Sequence, residues 1–140
     1  MLVPAGDFGC NSDMTETARY EITVTPKVEF IAEQSDENAG RFVFAYTITI
    51  RNTGQVGARL VSRHWIISDG RNQSQEVKGL GVVGAQPSLK PGESFEYTSG
   101  TSLATPVGTM KGSYQMVAED GHAFDATIPE FTLSVPRVLH

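Results

Sequence analysis

The sequence predicts an all-β chain folded as a two-sheet β-sandwich of about seven or eight strands, and three observations carry that prediction. Residues Arg41 to Asn52, RFVFAYTITIRN, alternate: Phe42, Phe44, Tyr46, Ile48 and Ile50 share one face, and Arg41, Val43, Ala45, Thr47, Thr49 and Arg51 share the other. Period two over so long a run belongs to a half-buried strand. Gly and Pro punctuate the whole chain, and no window places apolar residues at i, i+3, i+4 and i+7 over the roughly ten positions a helix needs. Short extended segments parted by turn chemistry indicate a sandwich rather than a closed barrel.

Taken in order, YEITVT (Tyr20 to Thr25) and VEFIAE (Val28 to Glu33) read as two short strands interrupted by Pro26, which has no N–H to give a ladder and so marks an edge, a bulge or a sheet switch. After the long strand, Asn52-Thr53-Gly54 tolerates left-handed backbone angles, and ARLVSRHWIISDG is expected to return as its antiparallel neighbour. Alternation groups Val61, Trp65 and Ile67, making Trp65 a core anchor and leaving His64 on the opposite face. SDGRNQS then turns, QEVKGLG is extended, Pro91-Gly92 stands in the order a type II turn favours, and SFEYTSG is extended again. GSYQMVAED and AFDATIPEFTLSV form a hairpin about Gly121, with Pro129 dividing the last run in two.

A chain of 140 residues holds one domain of ordinary size. Residues 1–18 mix Gly, Pro, Asp, Asn, Ser and Thr with few large apolar side chains, so a disordered tail is expected there and a folded domain over residues 19–140. The formal charge of -5 argues against sequence-independent binding to nucleic acid or anionic lipid, which relies on surplus Lys and Arg. The single cysteine, Cys10, closes no intramolecular bridge and is read as an incidental thiol. With no apolar run near the ~18 residues of a membrane span and no basic-then-apolar leader, a cytoplasmic protein is expected.

KGLGVVG, Lys78 to Gly84, spells Gly79-x-Gly81-x-x-Gly84, the spacing of a dinucleotide-binding loop. Such a loop follows a strand and opens a helix whose first amides hold the pyrophosphate. Here the glycines are followed by AQPSLKPGESF, and Pro87 and Pro91 forbid that helix. The glycines are therefore read as serving close strand approach or a bulge, leaving Val82 and Val83 free to pack. A residual option is an anion nest formed by Lys78, Gly79, Gly81 and Gly84 for a phosphate or carboxylate.

The run RHWIISDG, the block VKGLGVVGAQPSLKPGESFEYTSGTSLATPVGTMKGSYQM and the closing IPEFTLSVP resemble the ApaG family, also called CorD, over about residues 20–138. The resemblance implies a fibronectin type III-like or immunoglobulin-like sandwich with no established catalytic activity. It implies a genetic link to cobalt resistance and magnesium efflux, and, from related domains in eukaryotic F-box proteins and in a polymerase delta-interacting protein, a protein-interaction module.

Other constellations are weaker. Asp120, His122 and Asp125, with Asp69 at another loop end, are ligand types for a divalent metal, yet EDG is ordinary turn chemistry and no strong ligand spacing is present. Ser99 and Ser102 have His64 or His122 as paper partners but no nucleophile elbow, so no catalysis and no cofactor are expected. The leading expectation is a non-catalytic module that binds an unidentified protein through a sheet edge or through the loops at Gly79 to Gly84 and Ser99 to Gly108. Leu80, Val82 and Leu103 are the expected contacts. The alternative is a regulator sensing a polyphosphate, nucleotide or divalent cation at Gly79 to Gly84 or Asp120 to Asp125. Homodimerisation through an edge strand is compatible with either.

Overall fold

The computed structural model describes residues 19–136, so the tail expected over residues 1–18, Cys10 within it, and the last four residues lie outside the described residues. Eight strands form: β1 (Ile22–Phe30), β2 (Phe42–Asn52), β3 (Ala58–Asp69), β4 (Ser74–Leu80), β5 (Ser88–Leu89), β6 (Ser94–Leu103), β7 (Val107–Ala118) and β8 (Ala123–Ser134). Two 3₁₀ turns, Ala32–Gln34 and Glu37–Ala39, lie between β1 and β2. The strands make two antiparallel sheets, one in the order β1-β2-β6 and one in the order β4-β3-β7-β8, with β5 paired to the start of β3. The all-β sandwich read from the alternation is the observed architecture.

The apolar face of β2 fills the space between the sheets: Phe44, Ile48 and Ile50 are fully buried. Trp65 of β3 meets Tyr46, Phe131 and Tyr114 at ring-centroid distances of 5.5, 6.0 and 6.4 Å, each edge-on, an arrangement that places the positive ring edge on a negative face. The anchor role expected of Trp65 holds. Next to it the buried Tyr97 and Tyr114 hydroxyls share a 2.6 Å hydrogen bond, which satisfies two polar groups that burial would otherwise leave stranded.

Three local expectations need correction. β2 and β3 are not neighbours, because the chain passes from one sheet to the other at Asn52 to Gly57. The buried Asn52 side chain secures that crossing: its amide donates to the Val56 and Leu89 carbonyls, and its oxygen accepts from Gly54 N–H. β1 is continuous through Pro26, tolerated there because β1 is an edge strand and pairs only with β2. β8 is likewise continuous, and the Met110↔Phe131 and Gly112↔Ile128 pairs place Pro129 and Glu130 opposite Lys111 alone, so the proline sits in a bulge.

A second bulge, between Leu60 and Ser62, changes which residues of β3 face inward. Leu60 is fully buried and Val61 is the extra residue, so Leu60 rather than Val61 joins Trp65 and Ile67 in the core. The same bulge leaves the Val61 carbonyl free to accept from Gly81 N–H and from the Gln86 side chain. A kink in β3 thereby anchors the loop that follows β4.

Candidate functional site

Past Leu80 the chain makes a hairpin of minimal size. Val82 and Ala85 exchange both backbone hydrogen bonds, at 2.8 and 2.9 Å, around Val83 and Gly84. Both central residues have positive φ, 43° at Val83 and 81° at Gly84, as a type I′ turn requires. Asn-Gly is the ordinary sequence for such a turn, and a β-branched residue in its first position carries steric strain of about 1–3 kcal/mol. Asn72 is the other non-glycine with positive φ among the described residues, a residue that tolerates it.

The three glycines of the GxGxxG spelling answer to this geometry. A Cβ at Gly79 would stand 2.9 Å from the Arg63 guanidinium, which reaches along the hairpin to donate to the Leu80 and Gly81 carbonyls at 3.0 and 2.8 Å. At Gly81 it would stand 2.3 Å from the Ala85 carbonyl oxygen, and Gly84 supplies the second left-handed position. No helix follows; β5 and the Pro91-Gly92 turn do, with Gly92 at φ 90° as expected of a type II turn. Of the four residues expected to form a nest, Lys78 and Gly79 lie in β4, Gly81 gives its N–H to Val61, and Gly84 is at the turn's tip. They are not gathered around one point.

What the hairpin does assemble is an apolar tip beside a shallow dish. Leu80 is 76% exposed and Val83 59% exposed, while Val82 between them is fully buried as a plug into the core. The dish, about 460 Å³, is lined by Ser62, Arg63, His64, Lys78, Gly79, Leu80 and Gln115. His64 faces Lys78 across the β3–β4 register, on the side opposite Trp65, and its Nε2 lies 2.8 Å from Glu76. That hydrogen bond, reinforced by the charge of Lys78, holds the Glu76 carboxyl below the usual carboxylate range.

Among the expected contacts, Leu80 is therefore at the surface, whereas Val82 and Leu103 are core residues, a correction to their expected role. KGLGVVG gives no alternation from which to tell its inward valine from its outward one, and Leu103 ends β6 pointing between the sheets. Val83, expected to pack alongside Val82, instead faces outward, and it is the missed contact residue. Its signal was available in principle: a valine where a two-residue turn calls for asparagine.

The β7–β8 hairpin has another use for its polar residues. Asp120 accepts from the Tyr20 hydroxyl at 2.5 Å and from His122 N–H at 3.1 Å, contacts that hold its carboxyl below the usual range. The His122 ring stacks on Tyr20 at 4.1 Å, and Phe124 closes the row. Asp125 lies on exposed β8 opposite Gln115, and Asp69 binds the Arg71 and Gln73 amides of the β3–β4 turn. Among the described residues no group of three His, Cys, Asp or Glu stands close enough to hold a metal ion. Ser99 and Ser102 lie on β6, and neither makes a hydrogen bond with His64 or His122. No helix among the described residues is long and apolar enough to cross a membrane.

A family model described as the ApaG domain matches residues 32–118. Proteins named ApaG from Thiobacillus denitrificans and Dechloromonas aromatica are each 65% identical over 127 residues, 91% of this chain and 100% of theirs. A crystal structure from Bordetella pertussis, described as a putative ApaA protein, superposes with a TM-score of 0.83 at 54% identity, covering 85% of this chain and 97% of that one. The sandwich is of the fibronectin type III-like kind, and the chain belongs to the ApaG family.

Proposed function

We propose that this domain is a non-catalytic protein-interaction module whose contact surface is the Leu80–Val83 tip and the dish beside it. The observation that carries the reading is the strain at Val83. A turn that asparagine would close without cost holds a β-branched residue instead, and it holds that residue outward, 59% exposed. Strain kept where it does nothing for packing is the mark of a side chain retained for what it touches. The hairpin is also rigid, since Arg63, the Val61 carbonyl and the Val82 plug fix it from three sides, so a partner meets a preformed shape and orders little.

The competing reading, from a different class, is a regulator that takes a polyphosphate or carboxylate at the same dish, where Arg63, His64 and Lys78 stand together. Against it, the Arg63 guanidinium is engaged by two carbonyls and His64 by Glu76. The two readings separate in one experiment. Immobilised wild type and the Leu80→Glu variant, both shown to be folded, are used to capture proteins from extract, and the labelled domain is titrated with pyrophosphate. The module predicts a protein retained by wild type, lost with Leu80→Glu, and no saturable shift with pyrophosphate. Saturable shifts at Lys78 and Gly79, with capture unaffected by Leu80→Glu, would replace it by the regulator. On this reading a link to cobalt resistance and magnesium efflux would run through the captured partner, since among the described residues no group of three His, Cys, Asp or Glu stands close enough to hold a metal ion.

A further inference from the structure

The two sheets end in four long edge strands, β1 and β6 in one, β4 and β8 in the other, and three of the four carry the devices that keep edges from pairing. β1 has Pro26 with Lys27 and Glu29 beyond it, and it lies alongside β8. β8 has Pro129 in a bulge, with Asp125 and Glu130. β4 is seven residues long, carries Glu76 and Lys78, and has β5 following on the same side of β3.

β6 has no proline, no bulge and a single charge. Its ten residues, SFEYTSGTSL, contain no proline and no lysine, and the ladder to β2 runs without a bulge from Arg51↔Ser94 to Phe42↔Leu103. Nothing among the described residues pairs with its other side. Its one charge, Glu96, lies near the start of the strand and accepts from the Thr49 hydroxyl at 3.1 Å. The central stretch Thr98 to Ser102 is Thr-Ser-Gly-Thr-Ser, short and neutral, so another backbone can approach to ladder distance.

We propose that β6 is the seam of a homodimer in which the β6 strands of two copies pair antiparallel about a two-fold axis, joining two three-stranded sheets into one of six. Charge leaves β6 as the edge along which a second copy can approach. The chain carries -5, so two copies must meet along a strip that does not oppose like charges. With the axis at Thr98, Ser99 or Gly100, the residue facing Glu96 is Gly100, Ser102 or Ala104 of the other copy, each small and neutral. The solvent face then continues a row already built within each sheet, where Thr47 and Thr98 hydroxyls are 2.8 Å apart. Hydroxyl pairs of this kind stabilise neighbouring strands. The seam is small, seven to nine residues of each β6 or about 23–30 Å of ladder at roughly 3.3 Å per residue, so the dimer is expected to be weak, with a dissociation constant on the order of micromolar.

This inference does not rest on the tip at Leu80–Val83, and its test does not involve it. Sedimentation velocity on the full chain across a hundredfold concentration range should show the mass climbing from 15.1 kDa towards twice that value. Amide spectra over the same range should shift along Ser94 to Leu103. The double variant Thr98→Lys, Ser102→Lys, which puts cations on both ends of the neutral stretch and leaves the core untouched, should stay monomeric throughout with an unchanged melting temperature. A constant mass of 15.1 kDa for the wild type would overturn the proposal, as would a dimer whose shifts fall on β1 or β8 and spare β6.

Discussion

Two glycine-bearing turns sit at the ends of hairpins in the same sandwich and differ in one respect. At the β7–β8 turn the left-handed position, φ 90°, is occupied by Gly121, and the residues around it are tied down by Asp120, His122 and the stacked ring of Tyr20. At Val83–Gly84 a valine occupies a left-handed position, and its side chain touches solvent. The first turn has a sequence that suits its backbone, and its Asp120 carboxylate and His122 ring are engaged by Tyr20. The second has a sequence that its backbone resists. Where local chemistry and local geometry agree, the residues are explained by folding; where they disagree, as at Val83, contact with a partner is the proposed reason.

The largest expected effect separates the buried Val82 from the exposed Leu80 at the second turn. Val82→Asp buries an unpaired carboxylate and should cost more than about 3 kcal/mol, enough to unfold a marginal domain, whereas Leu80→Asp on the exposed tip should stay within about 0.5 kcal/mol. Chemical denaturation of both variants checks this, and equal effects would mean that the tip is packed. Giving the first turn the fault of the second should cost somewhat less: Gly121→Val places a β-branched residue at φ 90°, and a loss of about 1–3 kcal/mol is expected in the same measurement. An unchanged midpoint there would show that a β-branched residue at positive φ carries no strain in this fold.

A pH prediction tests the core that supports both turns. Burial, the dominant cause, pushes the Tyr97 hydroxyl up to about 12 and the Tyr114 hydroxyl higher still. Because a raised folded-state value favours the protonated form, the contribution is fully present below pH 10 and is lost as pH rises from 10 towards 12 and beyond. At the Asp120 turn the sign is opposite. Its carboxyl is held low by Tyr20 and His122, so its contribution is present at neutral pH and is lost as pH falls through the folded-state value. Tyr20→Phe should flatten that acid limb by a small amount, read from melting temperatures between pH 2 and 6.

Most of the architecture was legible because period-two alternation and turn residues act locally: β2, the β3–β4 turn, the Pro91-Gly92 turn and the Gly121 hairpin were all readable from neighbouring residues. What was not legible depends on distant pairing. Asn-Thr-Gly after β2 has the same chemistry whether the chain turns back beside its own strand or crosses to the other sheet, and the difference lies in Asn52 reaching the Leu89 carbonyl. The bulge at Val61 is invisible without Tyr114, Gln115 and Met116 opposite it. Asp120 and His122 were open to a reading as ligands because the ring that occupies them, Tyr20, is a hundred residues away in sequence. At the hairpin itself the spelling GxGxxG drew the eye to the glycines, which close turns, and away from Val83.

If the strain at Val83 is kept for contact, Val83→Asn should release the one and lose the other. Asparagine fits the first position of a type I′ turn, so the account predicts a domain more stable by about 1 kcal/mol, a rise of roughly 4 °C in melting temperature, together with loss of the protein that wild type retains from extract. A melting temperature that is unchanged or lower would show that the turn is not strained by its valine. Undiminished retention of the partner by a stabilised variant would show that the side chain is not what the partner touches, and either result would contradict the account.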